Sequence, residues 1–183
     1  MASIGHLAVG MAASRLSPPP DRRRLARAMV IFAALAMLPD ADVVGGAFGV
    51  PYGASWGHRG ATHSFVFAAA VGAVMAVAAP WAAAPGRTFL VAALVVASHP
   101  VLDMLTDGGR GCAIFWPFDD TRYFLPWRPL PVAPIGLGFL SARGLKVSLV
   151  ELVAFAPLFL FALWPRRRAA PPAPSTAQTL EER

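Results

Sequence analysis

The side chains best suited to chemistry are four histidines, His6, His58, His63 and His99, and the acids near them. Asp40 and Asp42 lie in Leu38-Pro39-Asp40-Ala41-Asp42, and Asp103 and Asp107 follow His99. Imidazole and carboxylate together are the donor set of zinc, manganese and iron sites. His99 and Asp103 stand at i and i+4. On a helix they share one face, about 5–6 Å apart at Cβ, close enough to reach one ion. His58 and His63 are five apart and would diverge by about 140° on a continuous helix. At least one must therefore sit in a loop, which Gly57 and Gly60 permit, and Thr62 or Ser64 is placed to cap the helix that follows. Seven groups (His6, Asp40, Asp42, His58, His63, His99, Asp103) exceed the needs of one tetrahedral zinc. They suit two ions, or one ion with outer carboxylates orienting the histidines. With no sulfur partner the set suggests Zn²⁺, with Mn²⁺ or Fe²⁺ as alternatives.

Each group alone has a plainer reading. A single histidine near a helix end is more often structural. Asp40 after a proline is equally a turn residue, and His99 with Asp103 is equally an intrahelical hydrogen bond. Convergence of all seven at one end of the apolar segments favours a site. Asp107 reads first as a helix-end residue. Glu151 is either a snorkelling interfacial acid or a base or ligand. Arg59 either clamps an anion or anchors to headgroups. Phe115, Trp116, Phe118, Tyr123, Phe124 and Trp127 form an interfacial aromatic belt, or else line a lipid entrance.

The elements that must hold these groups are strongly apolar. Of 183 residues 56% are hydrophobic and only 14% charged, against roughly 25% charged in soluble domains. Mean hydropathy is +0.55. Whole-chain disorder is excluded and an ordinary soluble globule disfavoured. The single cysteine, Cys112, excludes an internal disulfide framework and a Cys-rich zinc finger. The net charge of +6 is carried almost wholly by arginine. Those arginines flank apolar runs instead of forming a stripe with stacking aromatics, so no nucleic-acid partner is expected.

Four apolar stretches cover residues 25–38, 65–84, 88–102 and 147–164. A spanning helix needs about 20 apolar residues. The second and fourth qualify, the third does so if it continues to Leu105, and the first is short. Residues 4–13 read as a half-inserted helix. Pro18-Pro19-Pro20 separates the first two helices, and Pro80 and Pro85-Gly86 weaken and end the helix from Phe65. Pro100 kinks the third helix, and Gly108-Gly109 stops it. Residues 110–143 read as a structured loop, and 165–183 as a disordered cytoplasmic tail. No cleavable signal peptide is expected. Nine basic residues flank one side and six the other. That favours a cytoplasmic C-terminus and an outward-facing polar site in a multi-pass inner-membrane protein.

These motifs resemble the bacterial LexA-regulated, inner-membrane metal-dependent hydrolase family. The likeness runs from His6 to about Phe118. It rests on His6, on Leu38-Pro39-Asp40-Ala41-Asp42, and on His58-Arg59-Gly60-Ala61-Thr62-His63-Ser64. Its last part is Ser98-His99-Pro100-Val101-Leu102-Asp103, leading to Trp116-Pro117-Phe118. The resemblance implies a reaction class, hydrolysis, and no substrate. More distantly, the order His, Asp, His, His-x-x-x-Asp is similar to the zinc-dependent phospholipase C and P1-type nuclease group of helical phosphoesterases. Carried over, that likeness implies that His99, Asp103, one of Asp40 and Asp42, and His58 or His63 hold a first ion, with His6 at a second. No histidine follows Asp103, which argues against a third.

The expectation is an all-α, small polytopic membrane bundle with a metal site at one membrane face, formed by a hydrolase domain over residues 1–164. Its partners are membrane lipids and a small-molecule or lipid substrate. The reaction is hydrolysis of a phosphoester by metal-activated water, with an uncoordinated carboxylate (Asp40, Asp107 or Glu151) taking the proton and Arg59 neutralising charge. The alternative is a non-catalytic metal-binding membrane protein, either a carrier or a structural stress protein. A carrier would place polar groups along the full depth of its helices, whereas here they gather at one end.

Overall fold

The computed structural model describes residues 3–16, 22–78 and 84–165. The expected end of the helix at Pro80, the proline run 18–20 and the tail beyond Pro165 fall outside these residues. Seven α-helices follow in order: α1 (Ser3–Ala13), α2 (Arg22–Met37), α3 (Val43–Ala47), α4 (Phe65–Ala78), α5 (Pro85–Met104), α6 (Ala142–Ala154) and α7 (Ala156–Leu163). Short 3₁₀ turns cover Leu38–Asp42, Ala61–His63 and Gly136–Leu140. Among the described residues the only strand-like pairings are isolated bridges, Thr106 with Leu130 and Cys112 with Tyr123.

Helix α5 lies at the centre, packed on α4, α2 and α1. Ala13, Phe32, Ala36, Val91, Ala92 and Val95 form the apolar core where α1, α2 and α5 meet. Small residues permit this approach. A Cβ on Gly10 would collide with the backbone of Phe32 and Ala33, so α1 and α2 touch almost backbone to backbone, as helices in lipid commonly do. Outward, Val30, Val74, Val77, Leu94, Leu160 and Leu163 are exposed. So much exposed apolar surface suits hydrocarbon as the solvent.

One candidate span, Pro85–Met104, matches the third apolar stretch, and the others differ in their bounds. The first stretch was expected to be too short. Helix α2 instead continues through the 3₁₀ turn into α3, giving a 25-residue run over Arg23–Ala47. Pro39 ends the α-helix but sits at the start of the 3₁₀ turn, where its missing N–H costs little. The second stretch was expected to span; among the described residues α4 covers 14 of it, Phe65–Ala78, and residues 79–83 fall outside them. Pro85 was expected to end α4; it opens α5, at a position that suits proline. Helix α5 then runs 20 residues through Pro100 and stops at Met104, before the two glycines. The fourth stretch is not one helix. It starts earlier, with Ser141 capping α6 through Gly144 N–H, and bends by 60° between α6 and α7. Pro157 explains the break, since its ring clashes with the carbonyl four residues back and it has no N–H to donate. Among the described residues, two helices are thus long and apolar enough to cross a membrane, or three if the bent pair counts as one span.

Candidate metal centre

Three elements converge on one polar pocket. Helix α5 presents His99 and Asp103 from adjacent turns of one face, both buried. The 3₁₀ turn after α2 presents Asp40 and Asp42. The third element, residues 51–64, is a run of turns closed by backbone bonds such as Gly57 N to Ala54 O, Gly60 N to Gly57 O and Ala61 N to Ser55 O. It carries His58 in the loop and His63 in a 3₁₀ turn. Ser64 then caps α4, its hydroxyl accepting from Phe67 N–H at 3.0 Å.

Arg59 has φ +63°, a left-handed conformation uncommon for a residue with a side chain. The surroundings fix it. Its N–H donates to Asp42 Oδ2 at 3.1 Å, its carbonyl accepts from Ala113 N–H, and its Nε lies 2.9 Å from Asp103 Oδ2. A Cβ at Gly60 would strike the Ser55 carbonyl, so the next residue must be glycine.

The imidazoles are held from behind. His99 Nδ1–H donates to the Ala36 carbonyl at 2.6 Å, which leaves the Nε2 lone pair directed at Asp40 Oδ1, 3.2 Å away. His63 Nδ1 lies 3.2 Å from Asp42 Oδ2 and 3.1 Å from Thr62 Oγ1. Its Nε2 is 3.6 Å from Asp40 and 3.7 Å from Asp103. This carboxylate or carbonyl behind the ring, with a free nitrogen in front, is the usual arrangement of a metal-binding histidine. His6 stacks on His99 with ring centroids 3.7 Å apart, its Nε2 3.6 Å from Asp103 Oδ1.

The pocket fits a divalent cation. The Nε2 atoms of His6, His63 and His99 are buried and have no hydrogen-bond partner, a costly condition for polar atoms that a ligand bond would relieve. One donor atom from each of Asp40, His63, His99 and Asp103 lies within 4.8 Å of the others. Asp42, His58 and His63 form a second group by the same measure. Here, however, His58 Nδ1 is already bonded to Asp42 Oδ1 at 2.7 Å, so Asp42 serves chiefly to orient two histidines. Burial opposes charge on His63, yet the carboxylates of Asp40, Asp42 and Asp103 close around it outweigh burial and raise its pKa above the ordinary value. Burial pushes the Cys112 thiol up, so this cysteine stays a neutral core residue.

All seven expected ligand residues therefore lie in or against one pocket, with His6 touching it through Asp103 and His99. Other residues sit elsewhere. Asp107 accepts from Val132 N–H at 2.7 Å and ties down the following loop. Glu151 is buried and accepts from Gly5 N–H at 3.1 Å, fastening α6 to α1 one residue before His6. Of the aromatic group, Trp116 meets Trp56 edge-on and Phe115 packs on Phe65 and Tyr123. None of the six lines the cleft that opens beside Asp40, a space of about 600 Å³. Sequence reasoning passed over Arg122, whose guanidinium donates to the carbonyls of His58, Tyr52 and Ala54. It also passed over Tyr52, edge-on to His58. Neither carries a motif signal: Arg122 counts only as a charge until the loop it holds is seen.

Fold and site define a small helical membrane protein built around a buried His/Asp cluster. The chain belongs to the YdjM inner membrane protein family, whose family model matches residues 1–169. It is 41% identical over 161 residues to inner membrane protein YbcI of Escherichia coli (strain K12), covering 85% of this chain and 89% of that protein. Neither name states a reaction. No solved structure matches the chain significantly, so the likeness to the phospholipase C and P1 nuclease group rests on motif order alone.

Proposed function

We propose that the protein is a membrane-bound, metal-dependent hydrolase of phosphoesters. The observation that carries this reading is the set of buried, partnerless Nε2 atoms on His63, His99 and His6, facing Asp40 and Asp103. Asp40, His63, His99 and Asp103 would hold the ion, most suitably zinc, with manganese or iron as alternatives. The second group, Asp42 with His58 and His63, takes an ion only by giving up its hydrogen bonds. When bound, a divalent ion supplies Lewis acidity and a water of pKa near about 7.

The chain's own groups supply the rest. Asp40 is the most exposed of the acids around the pocket and lines the cleft; with one oxygen on the ion, its other oxygen would be the one to accept a proton from water. Arg59 also lines the cleft, its guanidinium anchored on Asp103, the Gly108 carbonyl and Thr106. That position suits neutralising charge on a phosphoryl group. The arginine asymmetry supports a cytoplasmic C-terminus with the site toward the outer face. Deep burial of His6, His63, His99 and Asp103 equally suits simple retention of an ion, so a non-catalytic metal-binding role is the second reading.

The test is metal analysis of detergent-purified protein together with a screen of phosphoesters. The expected result is bound metal and metal-dependent cleavage. Bound metal with no ester cleaved would overturn the hydrolase reading in favour of a non-catalytic metal-binding role.

A further inference from the structure

The cleft beside the cluster has two unlike walls. One is polar: Asp40, His58, Arg59 and Asp103 face it. The other is apolar, built by Val132, Pro134, Ile135 and Phe139, with Met37 and Val43 completing it from the α2–α3 run. Next to these lining residues in the chain, further apolar side chains are exposed: Leu137 and Leu140 after Ile135, and Val44 and Phe48 after Val43.

Two features give this arrangement meaning. First, the apolar wall is fixed to the polar one. Asp107 and Leu105, just beyond the α5 turn that carries Asp103, bond to Val132 N–H and Leu130 N–H. The side chain of Val132 also packs directly over Gly108. Second, both lips adjoin membrane elements. Met37 and Val43 belong to the candidate span Arg23–Ala47, and residues 136–140 lead into the bent pair α6–α7. A small, fully polar ester would leave the apolar wall facing water. A molecule with an anionic head and an alkyl chain satisfies both walls and reaches the cleft from the bilayer.

We propose that the cleft takes amphiphilic phosphoesters, with the phosphoryl end at Asp40 and Arg59 and the alkyl chain along residues 132–139. This deepens the hydrolase reading and rests on it for the reaction only; chain binding stands apart from turnover. It also moves the lipid entrance away from Trp116 to the loop before α6.

Two measurements on metal-loaded, full-length protein test it. The first compares methyl and octyl p-nitrophenyl phosphate. Lengthening the chain should lower KM by about tenfold or more, since each buried methylene contributes about fourfold. Ile135→Asn, or Phe139→Asn should the first variant fail to retain metal, should reduce that ratio to below about threefold. The second uses phosphatidic acid carrying a diazirine near the head-group end of its acyl chain, in nanodiscs. Residues 130–140 should be labelled, and unlabelled phosphatidic acid should compete. Competed labelling with no ester cleaved would uphold the chain site and defeat the hydrolase reading. Equal KM for both esters without competed labelling would overturn the chain site and leave a hydrolase of small esters. Neither cleavage nor competed labelling would defeat both.

Discussion

The cluster draws its imidazoles from two kinds of support. His99 rides on α5 with Asp103 one turn on, and the helix repeat alone sets their separation. His58 and His63 ride on residues 51–64, which hold no regular helix before the short turn at 61–63. There one residue does the work that a helix does elsewhere. Asp42 accepts from Arg59 N–H, from Thr62 Oγ1 and from His58, and stands behind His63. A helix-borne ligand is positioned by many equivalent bonds and tolerates the loss of any one. A loop-borne ligand is positioned by a hub and fails with it.

That contrast can be broken from the helix side first. His99→Ala deletes a donor that no neighbour replaces, and metal retention after gel filtration should be abolished. Asp103→Asn should come close, because it removes ligand charge while keeping shape. Retention of stoichiometric metal by either variant would sink the site as drawn.

The loop side should respond next. Asp42→Ala frees four loop groups at once without touching α5. We expect metal affinity to fall about 10–100-fold and residues 51–64 to become open to limited proteolysis. Wild-type affinity in this variant would mean the loop holds its histidines without the hub.

Arg59→Ala probes the seam between the two supports. It should leave metal bound and slow turnover, because a charge clamp contributes little to holding the ion. It also strips Asp103 of its guanidinium, and breaking a buried pair costs about 3–5 kcal/mol. The metal-free variant should therefore lose far more thermal stability than the loaded one, and equal losses in calorimetry would contradict this.

The pH response of His63 is milder. Its folded pKa lies above the ordinary value, so protonated His63 stabilises the metal-free fold. That contribution is complete below about pH 6.5 and lost as pH rises through the raised folded pKa. Metal needs the neutral ring, so apparent affinity should rise over the same window. Titration calorimetry across pH 6–8 checks it; a flat profile would contradict the coupling.

The smallest effect should come from Thr62→Val, which removes one 2.6 Å bond to Asp42 and should cost about 1 kcal/mol.

The same division explains what was legible in the sequence. His99 and Asp103 announce their proximity through spacing, and the cap was narrowed to Thr62 or Ser64, of which Ser64 makes it. The all-helical class follows from composition. The third span followed from apolar length, since α5 runs Pro85–Met104; the bounds of the first and fourth did not, because a proline's effect depends on where in a helix it falls. Pro39 and Pro85 sit where an N–H is dispensable and let helical runs begin or continue, while Pro157 divides one. The turns around Arg59 were illegible for another reason. Their conformation is set by Asp42, Arg122 and the Ala113 backbone, which lie far from it in the chain.

The bond from Gly5 N–H to Glu151 has a consequence in time. It joins residues 146 positions apart, and Arg15 adds a second tie to the Ala162 carbonyl at 2.8 Å. Synthesis runs from the N-terminus at about 5–20 residues per second. His6, His63 and His99 thus all leave the ribosome before the residue that fastens the first helix exists. We expect the pocket to be fully fixed only once the last helix pair has been made and has packed against the first. Chains halted at residue 140 should therefore bind cobalt weakly or not at all, and chains carried through α7 should bind it fully. Tight binding by the halted chains would show that the clasp is not needed.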